Sequence, residues 1–309
     1  MKLTILGSGT SHGVPVIGCD CAVCKSKNKK DKRNRCSALL TYNDKNFLID
    51  VGPDFRQQAL RENITKLEAV FLTHSHADHI HGIDDLRIFS HKNSRAMNEN
   101  LKVAQKYPET KGEGLPIYTS VRTSNHIKSS FQYIFIDHDK GGGVPKLHFI
   151  TTDSYNFENP LMLDGLKVIP IPLMHGNHHT TGWVFTEIKE DGKAHSFAYL
   201  TDCSFISEES LEILKKVKQT SEFDVLVIDA LRQKIHSSHN NFEQALLYAD
   251  RICAKHTYFT HMTHDFKHGQ IIKFIKKELK TSRKYENLKR IVKNGGSVLP
   301  SFDGMTVKD

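Results

Sequence analysis

The segment Thr73-His74-Ser75-His76-Ala77-Asp78-His79 packs four groups able to ligate a metal into six residues. It directly follows an apolar run, 69–73, that reads as a strand. His74 and His76 are two apart, so on an extended segment they share a face. Asp78 and His79 come where the chain turns towards a helix, and point elsewhere. Each pair can hold its own cation, and imidazole with carboxylate suits Zn²⁺, Mn²⁺ or iron. Two divalent cations about 3.5–4 Å apart lower the pKa of a shared water, give hydroxide at neutral pH and neutralise negative charge that builds up during reaction.

Three cysteines, Cys19, Cys21 and Cys24, read C-x-C-x₂-C in the opening loop. In a reducing compartment this spacing points to a closed structural zinc rather than to disulfides. A fourth ligand is required, and Cys36 is the candidate nearest in sequence. Cys203 and Cys253 read as small core residues. A further group, His236-Ser237-Ser238-His239-Asn240, lies between a strand pattern and a helix pattern. Histidine there can give or take a proton near neutrality. Gly7, Gly9 and Gly13 suggest a tight turn and not a nucleotide loop, because no Gly-Lys-Ser/Thr follows. Among His81, Asp84, Asp85 and Arg87, one is expected to support the ligands from behind.

These residues need strands and helices to hold them. Short apolar, β-branched or aromatic runs at 3–6, 38–42, 46–50, 69–73, 166–171, 183–187, 197–201, 225–229 and 257–260 read as strands. Helical patterns cover 54–63, 207–218, 241–254 and 266–280. The mixture of strand and helix repeats in both halves, which fits sheets covered by helices, an α/β (α+β) class. The polar stretch 90–146 carries few apolar residues and reads as an insertion or flap on one domain spanning 1–309.

The chain has 309 residues and a formal net charge of +8. Its 38% hydrophobic and 25% charged content excludes disorder as the main state. The surplus is local: residues 25–35 carry seven basic groups and one acidic, residues 266–293 ten and two, and the remaining chain is acidic. Such patches suit anionic ligands or a solvated lysine face. No run of about 18 apolar residues exists, and the N-terminus lacks a signal pattern. The expectation is a cytoplasmic protein without a membrane partner, monomeric or a homodimer.

His-x-His-x-Asp-His is the signature of the metallo-β-lactamase superfamily, and THSHADH resembles it in full. That resemblance implies an αββα sandwich and a two-metal site. Later ligand positions match His175 in IPLMHG, Asp202 in FAYLTDCS and His261 in YFTHMTHD, each where a buried strand ends. By resemblance, His74, His76 and His175 hold one metal, Asp78, His79 and His261 the second, and Asp202 bridges. The run GTSHGVPVIGCDCAVC, with THSHADHIHGIDDLR, is similar to the PhnP-type branch. That branch adds to the three loop cysteines a histidine three residues after the last active-site ligand, which here is His264 and is preferred to Cys36. It also implies that His239, rather than His236, serves as general acid or phosphate contact. The closing segment LPSFDGMTV resembles the superfamily's last hairpin.

The expected activity is metal-dependent hydrolysis of a small phosphodiester, cyclic phosphates included, with two divalent metals (zinc, manganese or iron) and one structural zinc. Asp78 or Asp202 would orient the nucleophile and His239 would protonate the leaving oxygen. Three alternatives stand beside it. A tRNA 3′-end endonuclease of the same superfamily would hold RNA on the basic stretches. A PqqB-like protein shares a Cys-rich loop but departs from the complete motif seen here. A non-catalytic zinc-stabilised binding protein has little need for a full open ligand set.

Overall fold

A computed structural model describes residues 1–90, 114–136 and 143–308. Its strands among these residues are β1 Lys2–Gly7, β2 Ser37–Tyr42, β3 Lys45–Ile49, β4 Ala69–Phe71, β5 Leu115–Thr119, β6 Leu147–Thr151, β7 Leu161–Leu163, β8 Leu166–His175, β9 His178–Ile188, β10 Ala194–Leu200, β11 Glu222–Asp229, β12 His256–Thr260, β13 Ser297–Pro300 and β14 Thr306–Lys308. They form two seven-stranded sheets, in the orders β14-β1-β2-β3-β4-β5-β6 and β13-β12-β11-β10-β9-β8-β7. The helices are α1 Phe55–Arg61, α2 Ala77–Ile80, α3 Val121–Ser130, α4 Gln132–Phe135, α5 Glu208–Thr220, α6 Phe242–Ile252, α7 His268–Thr281 and α8 Glu286–Lys293.

The layers follow from which residues are apolar. Between the sheets, Phe71 packs on Tyr118, Trp183 and Phe185 at ring-centroid distances of 5.0–5.2 Å. The outer face of the second sheet, with Ile169, Ile171, Leu226 and Ile228, is covered by α5 to α8. The outer face of the first, with Leu48, Val70 and Ile117, is covered by α1, α3 and their neighbours. Each fully buried large apolar side chain contributes about 1.5–3 kcal/mol. This is the αββα sandwich, in one domain.

Local chemistry sets the covering helices. Ser207 caps α5 by accepting from the Ser210 amide, and Glu208 and Glu209 lie in its first turn. Asn241 and Gln244 form a reciprocal capping box at α6, which then buries Phe242, Ala245, Leu246, Ala249 and Ile252. In α7 the apolar Ile271 and Ile275 face inward and the lysines outward.

Two expectations are revised. Of the stretch 90–146, residues 115–135 belong to the sandwich. β5 is buried throughout and lies between β4 and β6, and α3 covers it. Its five residues carry Pro116, which hides a strand pattern, yet it lies in register with His148 of β6. What is left for an insertion, 91–113, and residues 137–142 lie outside the described residues. The closing segment is not a hairpin: β13 pairs with β12 in one sheet and β14 with β1 in the other.

Strand direction decides where chemistry can occur. β3, β4, β5 and β6 run parallel in the first sheet, and β10, β11, β12 and β13 in the second. Their C-terminal ends meet along one rim, where loops rather than regular pairing continue the chain.

Candidate active site

Every residue of the central cluster sits at or just past a strand end on that rim. His74, His76, Asp78 and His79 follow β4. His175 is the last residue of β8, which runs four residues further than its sequence pattern suggests. Asp202 follows β10 and His261 follows β12. Asp50, Asp202 and His261 all hold left-handed backbone conformations, φ +59°, +51° and +59°. Non-glycine residues there cost about 1 kcal/mol or more each and persist only where surrounding contacts over-determine them. The metal loop is pinned to the end of β3 because the Val51 amide donates to the His79 carbonyl at 2.8 Å. Gly52 makes this approach possible, since a Cβ there would meet the Asp78 carbonyl oxygen at 2.1 Å.

Two ligand groups result. In His74, His76 and His175, and again in Asp78, His79, Asp202 and His261, the ligating atoms lie within 4.8 Å of one another. Asp202 joins the groups: Oδ1 is 3.9 Å from His74 Nε2, 4.0 Å from His175 Nε2 and 3.3 Å from His261 Nε2, while Oδ2 is 3.1 Å from His79 Nε2. All are buried except His76, which opens to solvent. The Nε2 atoms of His74, His79 and His261 are buried without a hydrogen-bond partner. Orphaned imidazole nitrogens facing carboxylates are what a divalent cation would satisfy, and the donor set fits one cation in each group.

The backs of these rings are tied down. His79 Nδ1 donates to Asp50 at 2.7 Å and His175 Nδ1 to the Ser238 carbonyl at 2.5 Å. His74 Nδ1 donates to Thr73 Oγ1 at 2.9 Å, and that hydroxyl donates to Asp50. Each tie fixes the tautomer that turns Nε2 towards the cluster. Asp50 was not singled out by sequence. Instead Asp84 accepts from Tyr133 and His81 packs on Phe131, so neither reaches the ligands. Asp50 closes the buried run Phe47-Leu48-Ile49, and nothing local in the sequence separates it from other acids at strand ends.

Charges are divided between the groups. Burial lowers the pKa of His74 and His76, and brings His175 down to about 4, so the first group is neutral imidazole. In the second group burial is outweighed. The charge of His79 beside it holds Asp78 well below the carboxylate range, and the charges of His261 and His79 do the same for Asp202. Asp202, Asp78 and Asp50 lift His79 well above the usual imidazole value.

His239 is buried against both groups, its ring 4.4 Å from that of His175 and stacked 4.6 Å from that of His261. Its Nδ1 donates to Asp229 Oδ2 at 2.7 Å, and the same oxygen accepts from the Cys203 amide. Burial pulls its pKa down, but Asp229, with Asp202 behind it, lifts it to about 9. His236 is partly exposed and stands 5.3 Å away.

A second cluster lies in the opening loop. The sulfurs of Cys19, Cys21 and Cys24 stand 3.3, 3.5 and 3.4 Å from His264 Nδ1. Cys36 is elsewhere, buried against Tyr199, Thr201 and Thr260. The Cys24 amide pulls Cys21 down to about 6, whereas burial pushes Cys24 up to about 11. Three thiolates and a neutral imidazole fit a zinc ion, which would favour these deprotonated forms. Buried Arg33 braces the segment by donating to the carbonyls of Thr263 and Phe266.

Residues 45–262 match the family described as Beta-lactamase superfamily domain. A solved structure described as a new diphosphatase from the PhnP family is 34% identical, with a TM-score of 0.71, over 100% of this chain and 97% of that one. Zn²⁺-bound PqqB from Methylobacterium extorquens shares the fold at 16% identity and a TM-score of 0.62, over the whole of both chains. A curated relative, "Octanoyltransferase" of Porphyromonas gingivalis, is 32% identical over 98% of this chain; the chain spans 54% of that relative's length. With the ligand groups gathered on one rim, these matches show that the chain belongs to the β-lactamase superfamily, in its PhnP-family branch of metallo-hydrolases.

Proposed function

We propose that the chain hydrolyses small phosphodiesters, cyclic ones included, at the rim site. One observation carries this reading: three orphaned imidazole nitrogens and two carboxylates converge, with a proton-bearing histidine packed against them. His74, His76 and His175 would hold one divalent cation, Asp78, His79 and His261 the other, and Asp202 both. Bound there, zinc or manganese ions would supply an activated water and electrophilic neutralisation of the phosphoryl group.

The chain's own groups do the rest. Asp50 and Thr73 keep His74 and His79 in register, so little reorganises during reaction. Asp78 and Asp202, ionised, orient the attacking water and accept its hydrogen bond. His239 carries the proton and presents Nε2 towards the cluster while Asp229 grips Nδ1, and it releases that proton to the departing oxygen. The Cys19–Cys21–Cys24–His264 group would carry a zinc that fixes the loop beside His261.

The test is turnover of bis-p-nitrophenyl phosphate and a panel of cyclic phosphates. Asp202→Ala should abolish it, and His239→Ala should lower kcat about 10²–10⁴-fold. Wild-type rates in both variants would refute the assignment. A second reading, an RNA 3′-end nuclease, has one observation in favour. Asp31 in the first basic stretch accepts from the His268 amide in the second, so the two stretches meet on one face. Nanomolar, salt-sensitive binding of a tRNA precursor in a filter assay would favour it.

A further inference from the structure

Asp202 joins the two ligand groups, and its side chain is steered from behind. Thr201 Oγ1 donates to Asp202 Oδ2 at 3.0 Å, the same oxygen that stands 3.1 Å from His79 Nε2. Among the described residues no other hydroxyl donates to this carboxylate. The main chain is held separately. Thr180 Oγ1 donates to the Asp202 carbonyl at 3.1 Å, and the left-handed φ of +51° turns the residue out of β10. Backbone contacts therefore place Asp202, and the hydroxyl of Thr201 is left to set how its carboxylate is rotated.

Thr201 is itself held. The Cys36 sulfur lies 3.4 Å from Thr201 Oγ1, 3.2 Å from Thr260 Oγ1 and 3.1 Å from the Tyr199 hydroxyl. All four residues are buried, and Cys36, Thr201 and Thr260 are 0% exposed. They come from both sheets. Cys36 leads into β2, Tyr199 lies on β10 with Thr201 just past its end, and Thr260 ends β12. Thr201 and Thr260 directly precede the ligands Asp202 and His261. The cluster is a polar floor between the sheets, one residue beneath the rim.

Counting protons gives this floor a direction. An ionised carboxylate only accepts, so the single Thr201 proton goes to Asp202. Thr201 Oγ1 then accepts from the Cys36 thiol. With its one proton spent, the sulfur can only accept from the Tyr199 and Thr260 hydroxyls. Reversing any link would strand a buried donor without a partner. A carboxylate facing ligands on both sides needs each oxygen aimed at its own group, and a donor held in one orientation does that.

We propose that Thr201 is the positioning residue of the Asp202 carboxylate, and that Cys36, backed by Tyr199 and Thr260, fixes the direction in which Thr201 points its proton. This assignment rests on the reading above that Asp202 serves two cations.

The test is chelator competition on the zinc-loaded protein, counting the ions retained at each chelator concentration. Thr201→Val, similar in size but without the hydroxyl, should weaken the rim ions about 10–100-fold. Thr201→Ser should restore most of that affinity. Cys36→Ala should shift it in the same direction by less, and Cys36→Ser, which keeps a donor, by least. The loop zinc at Cys19, Cys21, Cys24 and His264 should be unchanged in all four, which reports that the fold is intact. Thr186→Val is the control: Thr186 Oγ1 and Ser196 Oγ are 2.7 Å apart in the same sheet, near the end of β9 away from the rim, so this variant should keep every ion. Wild-type rim affinity in Thr201→Val, or equal losses in Thr201→Val and Thr201→Ser, overturns the positioning role. Wild-type affinity in Cys36→Ala removes Cys36 from it. A wild type that holds no rim ion would instead overturn the two-cation reading, and this assignment with it.

Discussion

Asp229 Oδ2 and His239 Nδ1 are 2.7 Å apart, and the ring so held lies between those of His175 and His261. The carboxylate fixes both the orientation and the charge of the imidazole. Asp229→Asn should therefore lower kcat about 10–100-fold, less than removing His239 itself. The sign of the pH effect follows from the same pair. His239 acts protonated, and Asp229 raises its pKa to about 9, so it stays charged through neutrality. Without that charge the proton is lost at lower pH. The alkaline limb of the kcat profile should move down in Asp229→Asn, and a limb that does not move would separate His239 from proton transfer.

Metal analysis gives a second check. About three divalent ions per chain are expected, two at the rim and one at the cysteine loop. Asp202→Ala should lose the rim ions and keep the loop ion. A wild type carrying one ion only would show the rim does not bind metal.

The cysteine loop separates two candidate ligands. His264→Ala should lose one zinc and lower the melting temperature by several degrees, on the order of 5–10 °C. Cys36→Ser should keep that zinc, because Cys36 hydrogen-bonds to Tyr199 in the inter-sheet core. Equal zinc loss in both would revive Cys36.

Asp50 makes the fourth case. It anchors His79 directly and His74 through Thr73. Asp50→Ala should weaken rim-metal affinity about 10–100-fold in a chelator competition, with Asp78 and Asp202 untouched.

The segments 74–79 and 19–24 were legible because their residue types are rare and their spacing is local, whereas His175, Asp202, His261 and His264 lie far away in the chain and came only through the family resemblance. Asp50 and Asp229 were not, because each reads as an ordinary acid closing an apolar strand. Only the fold brings His79 and His239 onto them, across 29 and 10 residues. β5 was hidden for a different reason: a short strand between β4 and β6 is buried on both faces and shows no alternation to detect.

The direction of β1 has a consequence for how this chain can be joined to others. β1 runs towards the rim, and β14 runs back beside it, pairing Lys2 with Lys308. Both ends of the described chain therefore lie on the edge opposite His74 and Asp202. Polypeptide fused at either end would leave away from the mouth of the site, so a tethered neighbour could share the molecule without obstructing entry of substrate.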